Sequence, residues 1–142
     1  MFRASPQLMR AALAIIRVVV GIVFVYHGWQ KVFQMGHANV TGFFTQAHIP
    51  LAPLSAFIVM YLELLGGAAL IVGLLARILG ALFAFEMLVA IALVHFPNGF
   101  SMQNNGYEFQ LMLFAASLAF AIGSGGAAAV DDIIAARPAR AS

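Results

Sequence analysis

The sequence predicts an all-α integral membrane protein: a four-helix bundle with both termini on the cytoplasmic side (N-in/C-in), in a single membrane domain over residues 1–142. Three observations carry that reading. Hydrophobic residues make up 63% of the chain and charged residues only 8%, where soluble domains carry about 25% charged residues. Mean hydropathy is +0.99, and a soluble core of this size could not hide so much apolar surface. The apolar residues also fall into four runs, each near the ~20 residues that cross ~30 Å of hydrocarbon.

The elements follow in order. The first helix is expected over residues 10–33; Arg3 and Arg10 precede it in the manner of a signal peptide, but the run is too long and no small-residue cleavage pattern follows, so it reads as retained. Residues 34–53 form an outer loop with Gly36, Gly42, Pro50 and Pro53, in which Val40–His48 is expected as an interfacial helix dipping Phe43 and Phe44 into lipid. The apolar stretch from Leu54 to Phe96 would measure ~65 Å as one helix. It must therefore fold back, with helices over 54–74 and 77–96 and a tight turn at Gly73-Leu74-Leu75-Ala76-Arg77. The polar turn Pro97–Gly106 leads to a fourth helix over 107–125, and residues 126–142 form a cytoplasmic tail. With the N-terminus inside, Arg3, Arg10, Arg77, Arg137 and Arg140 all lie on the cytoplasmic side and only Lys31 at an outer end, as the distribution of basic residues in membrane proteins requires.

Composition also excludes several function classes. Seven Lys/Arg against five Asp/Glu are too few for a nucleic-acid face, despite a pI near 9.5. The absence of cysteine rules out disulfides, thiolate metal sites and dithiol exchange by this chain. His27 and His95 stand at similar depth on the first and third helices, which permits axial haem ligation, but no motif accompanies them and no metal site is expected.

Charge within the apolar runs is the informative feature, because an uncompensated charge in hydrocarbon costs roughly 2.5–3.5 kcal/mol on insertion scales. Arg17, Gly21, Phe24, Gly28 and Lys31 share one face of the first helix, and Glu63, Gly66, Gly67, Leu70 and Gly73 one face of the second. Glu86 aligns with Leu79, Phe83, Ala90 and Leu93 on the third helix, and Glu108 with Leu111, Ala115, Ala119 and Ile122 on the fourth. Depths estimated from the helical rise place Arg17, Glu63 and Glu86 in one deep cluster, and His27, Gln30, Lys31 and Glu108 together near the outer end. Three carboxyls then face two interior bases. Either Arg77 reaches inward, or Glu63 or Glu86 carries a proton and can pass it or donate a hydrogen bond. Arg17, His27, Lys31, Glu63, Glu86 and Glu108 are the candidate ligand-binding or proton-handling residues; the bland alternative is paired charges that fix helix register.

These residues resemble a known family. Arg17, Gly21 and His27-Gly28-Trp29-Gln30-Lys31-Val32-Phe33 look like the first-helix pattern of the DoxX family. Glu63-Leu64-Leu65-Gly66-Gly67 followed by Gly73-Leu74-Leu75-Ala76-Arg77 resembles its second helix and turn. Glu86-Met87, Gly106-Tyr107-Glu108, Gly123-Ser124-Gly125 and Asp131 match further positions, although Gly126–Val130 departs from the usual ending before that Asp. The resemblance implies a small four-helix membrane protein, with some relatives serving quinone-linked redox or oxidant-defence systems. Three functions are thus in view. The first is an accessory subunit of a quinone-linked redox system in a bacterial inner membrane, with quinone as candidate ligand and redox proteins as partners beside the lipid bilayer. The second is a structural or assembly partner with no chemistry of its own. The third is a small transporter or proton pathway, disfavoured by the lack of an internal repeat.

Overall fold

The computed structural model describes residues 5–136, so Arg3, Arg137 and Arg140 lie outside the described residues. Helix α1 (Pro6–Met35) starts where Ser5 caps it, its hydroxyl accepting from the Leu8 amide at 3.3 Å, with Pro6 in the first position. It ends in a π-helical turn, Gln30–Met35, broken by Gly36 at φ 77°. Helix α2 (His37–Gln46) follows, then α3 (Ala52–Val72), interrupted at Leu62–Gly66 by a second π turn. The tight turn at 73–75 reverses the chain into α4 (Ala76–Asn98), which carries a third π turn at Ile91–His95. Helix α5 (Glu108–Gly123) and the short α6 (Val130–Ala135) are the last helices among the described residues.

Helices α1, α3 and α4 are each long and apolar enough to cross a membrane. Helix α5 is equally apolar but has 16 residues, ~24 Å at 1.5 Å per residue, short of a ~30 Å hydrocarbon layer. The architecture is two antiparallel pairs, α1 with α3 and α4 with α5, joined where α1 meets α5. Phe24 stacks on Phe83 at the junction, centroids 3.8 Å apart, and Leu70, Met87, Leu113 and Phe120 pack around them. Helices α3 and α4 touch chiefly near their shared turn and diverge above it. Outward-facing Ile15, Ile22, Leu65, Phe85, Met112 and Ile122 form the apolar exterior that a bilayer would cover.

Two glycines set the register. Gly28 lies directly against the Glu63–Leu64 backbone, where any Cβ would overlap main-chain atoms, and this fixes α1 against α3. Gly80 does the same for α4 against α5, facing the Ser117 carbonyl and the Ala121 amide.

The register corrects three expectations. With Gly28 opposite Glu63, Arg17 is displaced from Glu63 by about 11 residues, ~16 Å along the helix. Arg17 therefore lies beside Gly73, at the turn end of the bundle, and the deep cluster does not contain it. On α5 the buried stripe is Leu113, Ser117 and Phe120, whereas Leu111 and Ile122 point outward, Ile122 at 73% exposure. Glu108 misled that assignment because it sits in the first turn of α5, where a side chain bonds to the preceding loop whichever face it occupies. Phe44, expected in lipid, is 6% exposed in a small core with Val40, Ala56 and Met60; α2 folds against α3.

Candidate functional site

The divergence of α3 from α4 leaves a cavity of about 810 Å³ at the loop end, walled by all five helices α1 to α5. Its walls are apolar, with Phe43, Leu51, Ile58, Leu82 and Phe85 towards the mouth. Three of its polar side chains come from irregular parts of the helices. Lys31 belongs to the π turn of α1, Glu63 to that of α3 and His95 to that of α4. A π turn swings a side chain out of the regular helical face and often marks a functional site.

Lys31 Nζ donates to Glu63 Oε2 at 2.6 Å. The two come together because Gly28 brings the α1 backbone onto Glu63, and Lys31 sits less than one turn further along. Glu63 is 4% exposed. Glu86, from the regular part of α4, lines the same cavity beside Glu63. Glu86 Oε2 is buried and has no protein partner. Lys31, Glu63 and Glu86 thus form a compact triad carrying two carboxyls and one ammonium.

A second polar station lies at the α4–α5 side. His95 Nδ1 is 2.9 Å from the Asn105 carbonyl, and its Nε2 is 3.0 Å from Gln110 Nε2. A carbonyl only accepts, so Nδ1 carries the proton; Nε2 is then the acceptor and Gln110 donates to it. The geometry leaves Gln110 Oε1 buried without a protein partner. His27 also lines the cavity, with Nδ1 donating to the Val23 carbonyl at 2.9 Å and its ring near Phe109.

The remaining candidates lie elsewhere. The Glu108 carboxylate accepts from the Met102 amide at 2.9 Å and secures the loop before α5, apart from Lys31 and His27. Arg17, 3% exposed, donates from Nη1 to the Gly125 carbonyl at 2.7 Å and to Ala127 at 3.3 Å, and from Nη2 to Ala128 at 3.3 Å. Beside it Asp131 accepts from the Leu75 and Ala76 amides at 2.8 and 2.9 Å, capping α4 and holding Leu75 at φ 54°. Arg77 points to the Ala121 carbonyl at 3.2 Å and does not reach inward. Gln110 was missed in the sequence, though it is the one amide in the apolar run of α5; the π turns carry no sequence mark.

Residues 12–96 match the family model described as DoxX. The chain is 35% identical over 105 residues to a protein of Bacillus subtilis (strain 168) named "Putative oxidoreductase CatD", with 74% of this chain and 75% of that one covered. No solved structure matches.

Proposed function

Because the chain belongs to the DoxX family and is a multi-pass membrane protein, we propose that it is an accessory subunit of a quinone-linked redox or oxidant-defence system, with a ligand site inside the bilayer. The observation that carries this is the Lys31–Glu63–Glu86 triad on an otherwise apolar cavity of about 810 Å³. Such a cavity, largely hydrocarbon-lined with a few convergent polar groups, is the usual form of a small-molecule site. The name of the Bacillus subtilis relative is in keeping with redox work.

A quinone-class head group would supply the electron chemistry. This chain's residues do the rest: the apolar walls exclude water, Lys31 balances charge, and Glu63 or Glu86 handles the proton of the ligand. Arg10 and Arg77, both at the turn end, support an orientation with that end in the cytoplasm and the cavity in the outer half of a bacterial inner membrane. The transporter reading has less support, since Phe24, Phe83, Phe120 and Leu70 fill the interior between the cavity and Arg17.

Mass spectrometry of lipids co-purifying with the wild type and with Glu63→Gln, normalised to folded protein, tests the proposal. Quinone-class lipid near one per chain in the wild type, and its loss in the variant, is expected. No enrichment in either would return the chain to the structural or assembly reading.

A further inference from the structure

Resting on that cavity reading, the walls also carry the ligand's way in and the charge of its head. The cavity lies where α3 and α4 part above their shared turn. One stripe of each helix lines it at helical spacing: Ser55, Ile58 and Leu62 on α3, and Leu82, Phe85 and Val89 on α4. Members of both stripes are open to the exterior as well: Ile58 is 52% exposed, Leu82 44% and Phe85 67%. A residue that lines a cavity and also faces outward stands on its rim.

The rim lies at membrane depth. Phe85 is about nine residues beyond Ala76, ~14 Å above the turn, and Ile58 about fourteen residues before Val72, ~21 Å above it. Both heights fall inside a hydrocarbon layer of ~30 Å. A rim of large apolar side chains would be costly against water and is the ordinary surface against lipid.

Among Lys, Arg, Asp and Glu, the lining residues are Lys31, Glu63 and Glu86. Lys31 is already paired with Glu63 at 2.6 Å, so no cation is left over to balance an anionic head. An ammonium has three N–H donors, and among the described residues Lys31 spends one, so it can still hold the oxygen of an uncharged head. The volume of about 810 Å³ suits a head group with one chain segment.

We propose that the gap between α3 and α4 is a lateral portal through which an uncharged, single-chain lipid enters from the bilayer. Its head oxygen reaches Lys31, and its chain lies across Ile58, Leu82 and Phe85. The chain never crosses water, and ionised fatty acids are turned away at the charge-balanced head site.

The test is photolabelling of the full chain in lipid nanodiscs. The probes are a long-chain alcohol and the fatty acid of equal length, each with the same mid-chain diazirine, at a pH that ionises the acid. Samples are flashed at increasing times after mixing with probe-loaded vesicles, and labelled residues are mapped by mass spectrometry. Met87 and Leu113 report the interior, since both line the cavity and are buried; Met112, 73% exposed, reports the outer surface. Relative to Met112, the alcohol is expected to label the interior about fivefold more than the acid. Ala90→Trp places a ring on the cavity wall at the height of Ile58 and should slow interior labelling about tenfold, with Met112 unchanged. Ile58→Trp, at an exposed position, should do the same and keeps the test open if Ala90→Trp fails to fold. Equal interior labelling by the acid would overturn the uncharged head. Slowing by Leu51→Trp, with none from Ala90→Trp or Ile58→Trp, would move the entrance to the loop end and overturn the portal. A folded chain labelled only on its surface would also overturn it. Co-purified quinone would then keep the cavity as a ligand site with another entrance, and its absence would remove both readings.

Discussion

At the turn end, the buried guanidinium of Arg17 is enclosed by protein oxygens: three carbonyls of the 125–128 segment accept its hydrogen bonds. At the loop end, the triad and the His95–Gln110 station leave buried oxygens with no protein donor. Both regions hold charge at positions where an isolated charge would be costly, yet they treat it differently. The turn end spends most of its polar groups within the fold, and among the described residues Arg17 Nε and, further along α5, Ser117 Oγ are left over. The loop end leaves oxygens of Glu86 and Gln110, two residues that line the cavity, without a protein partner. Satisfaction of hydrogen bonds, more than burial, separates a structural charge from a candidate ligand group.

Breaking the turn end should have the largest effect on stability. Arg17→Met leaves three carbonyls without their charged donor, and a loss of about 3 kcal/mol or more is expected, read as a fall in thermal midpoint and in folded yield. If ligand retention per folded molecule fell as well, the division between the two ends would be wrong. Gly28→Ala comes next, at about 1–3 kcal/mol, because its methyl meets the Leu64 backbone. It should also part Lys31 from Glu63, so retained ligand should fall along with the midpoint. At the loop end, a double-mutant cycle of Lys31→Met and Glu63→Gln should give a coupling of about 1–2 kcal/mol by denaturation; additive effects would dissolve the triad. Asp131→Asn should cost about 1 kcal/mol through the weakened cap of α4 and leave ligand retention unchanged. The exposed Arg10–Asp132 pair should contribute least: Asp132→Asn is expected to move stability by under about 1 kcal/mol, a difference that high salt should erase.

The long apolar helices and the inward stripes of α1 and α3 were legible because glycine and charge recur on one face at helical spacing. The positions of Glu63, Glu86, Lys31 and His27 in a shared interior follow from those stripes. The partner of Glu63 was not legible. Depth counted from helix ends placed Arg17 beside it, but the vertical register is set by Gly28 against the Glu63–Leu64 backbone, and no single-sequence pattern states which glycine meets which residue. The α5 stripe was misread because Glu108 serves the loop. Asp131 stood out only by resemblance, and its capping of the distant Leu75 turn is a tertiary fact. Gln110 is visible as a lone amide in an apolar helix, but its orientation depends on Asn105 and His95 and exists only in the folded chain.

The π turn at 62–66, which has α-helix on both sides, has a further consequence for how residues are counted between related chains. Such a turn holds about one residue more than the α-helix it interrupts, so the helical phase on its two sides is offset by about 100°. Removing a single residue there would leave one flank packed as before and rotate every side chain on the other by that angle. Glu63 sits inside this phase break, so a length difference of one residue moves it further than most substitutions would. Equivalence among relatives at this position is therefore a matter of helical phase, and aligned letters alone do not fix it.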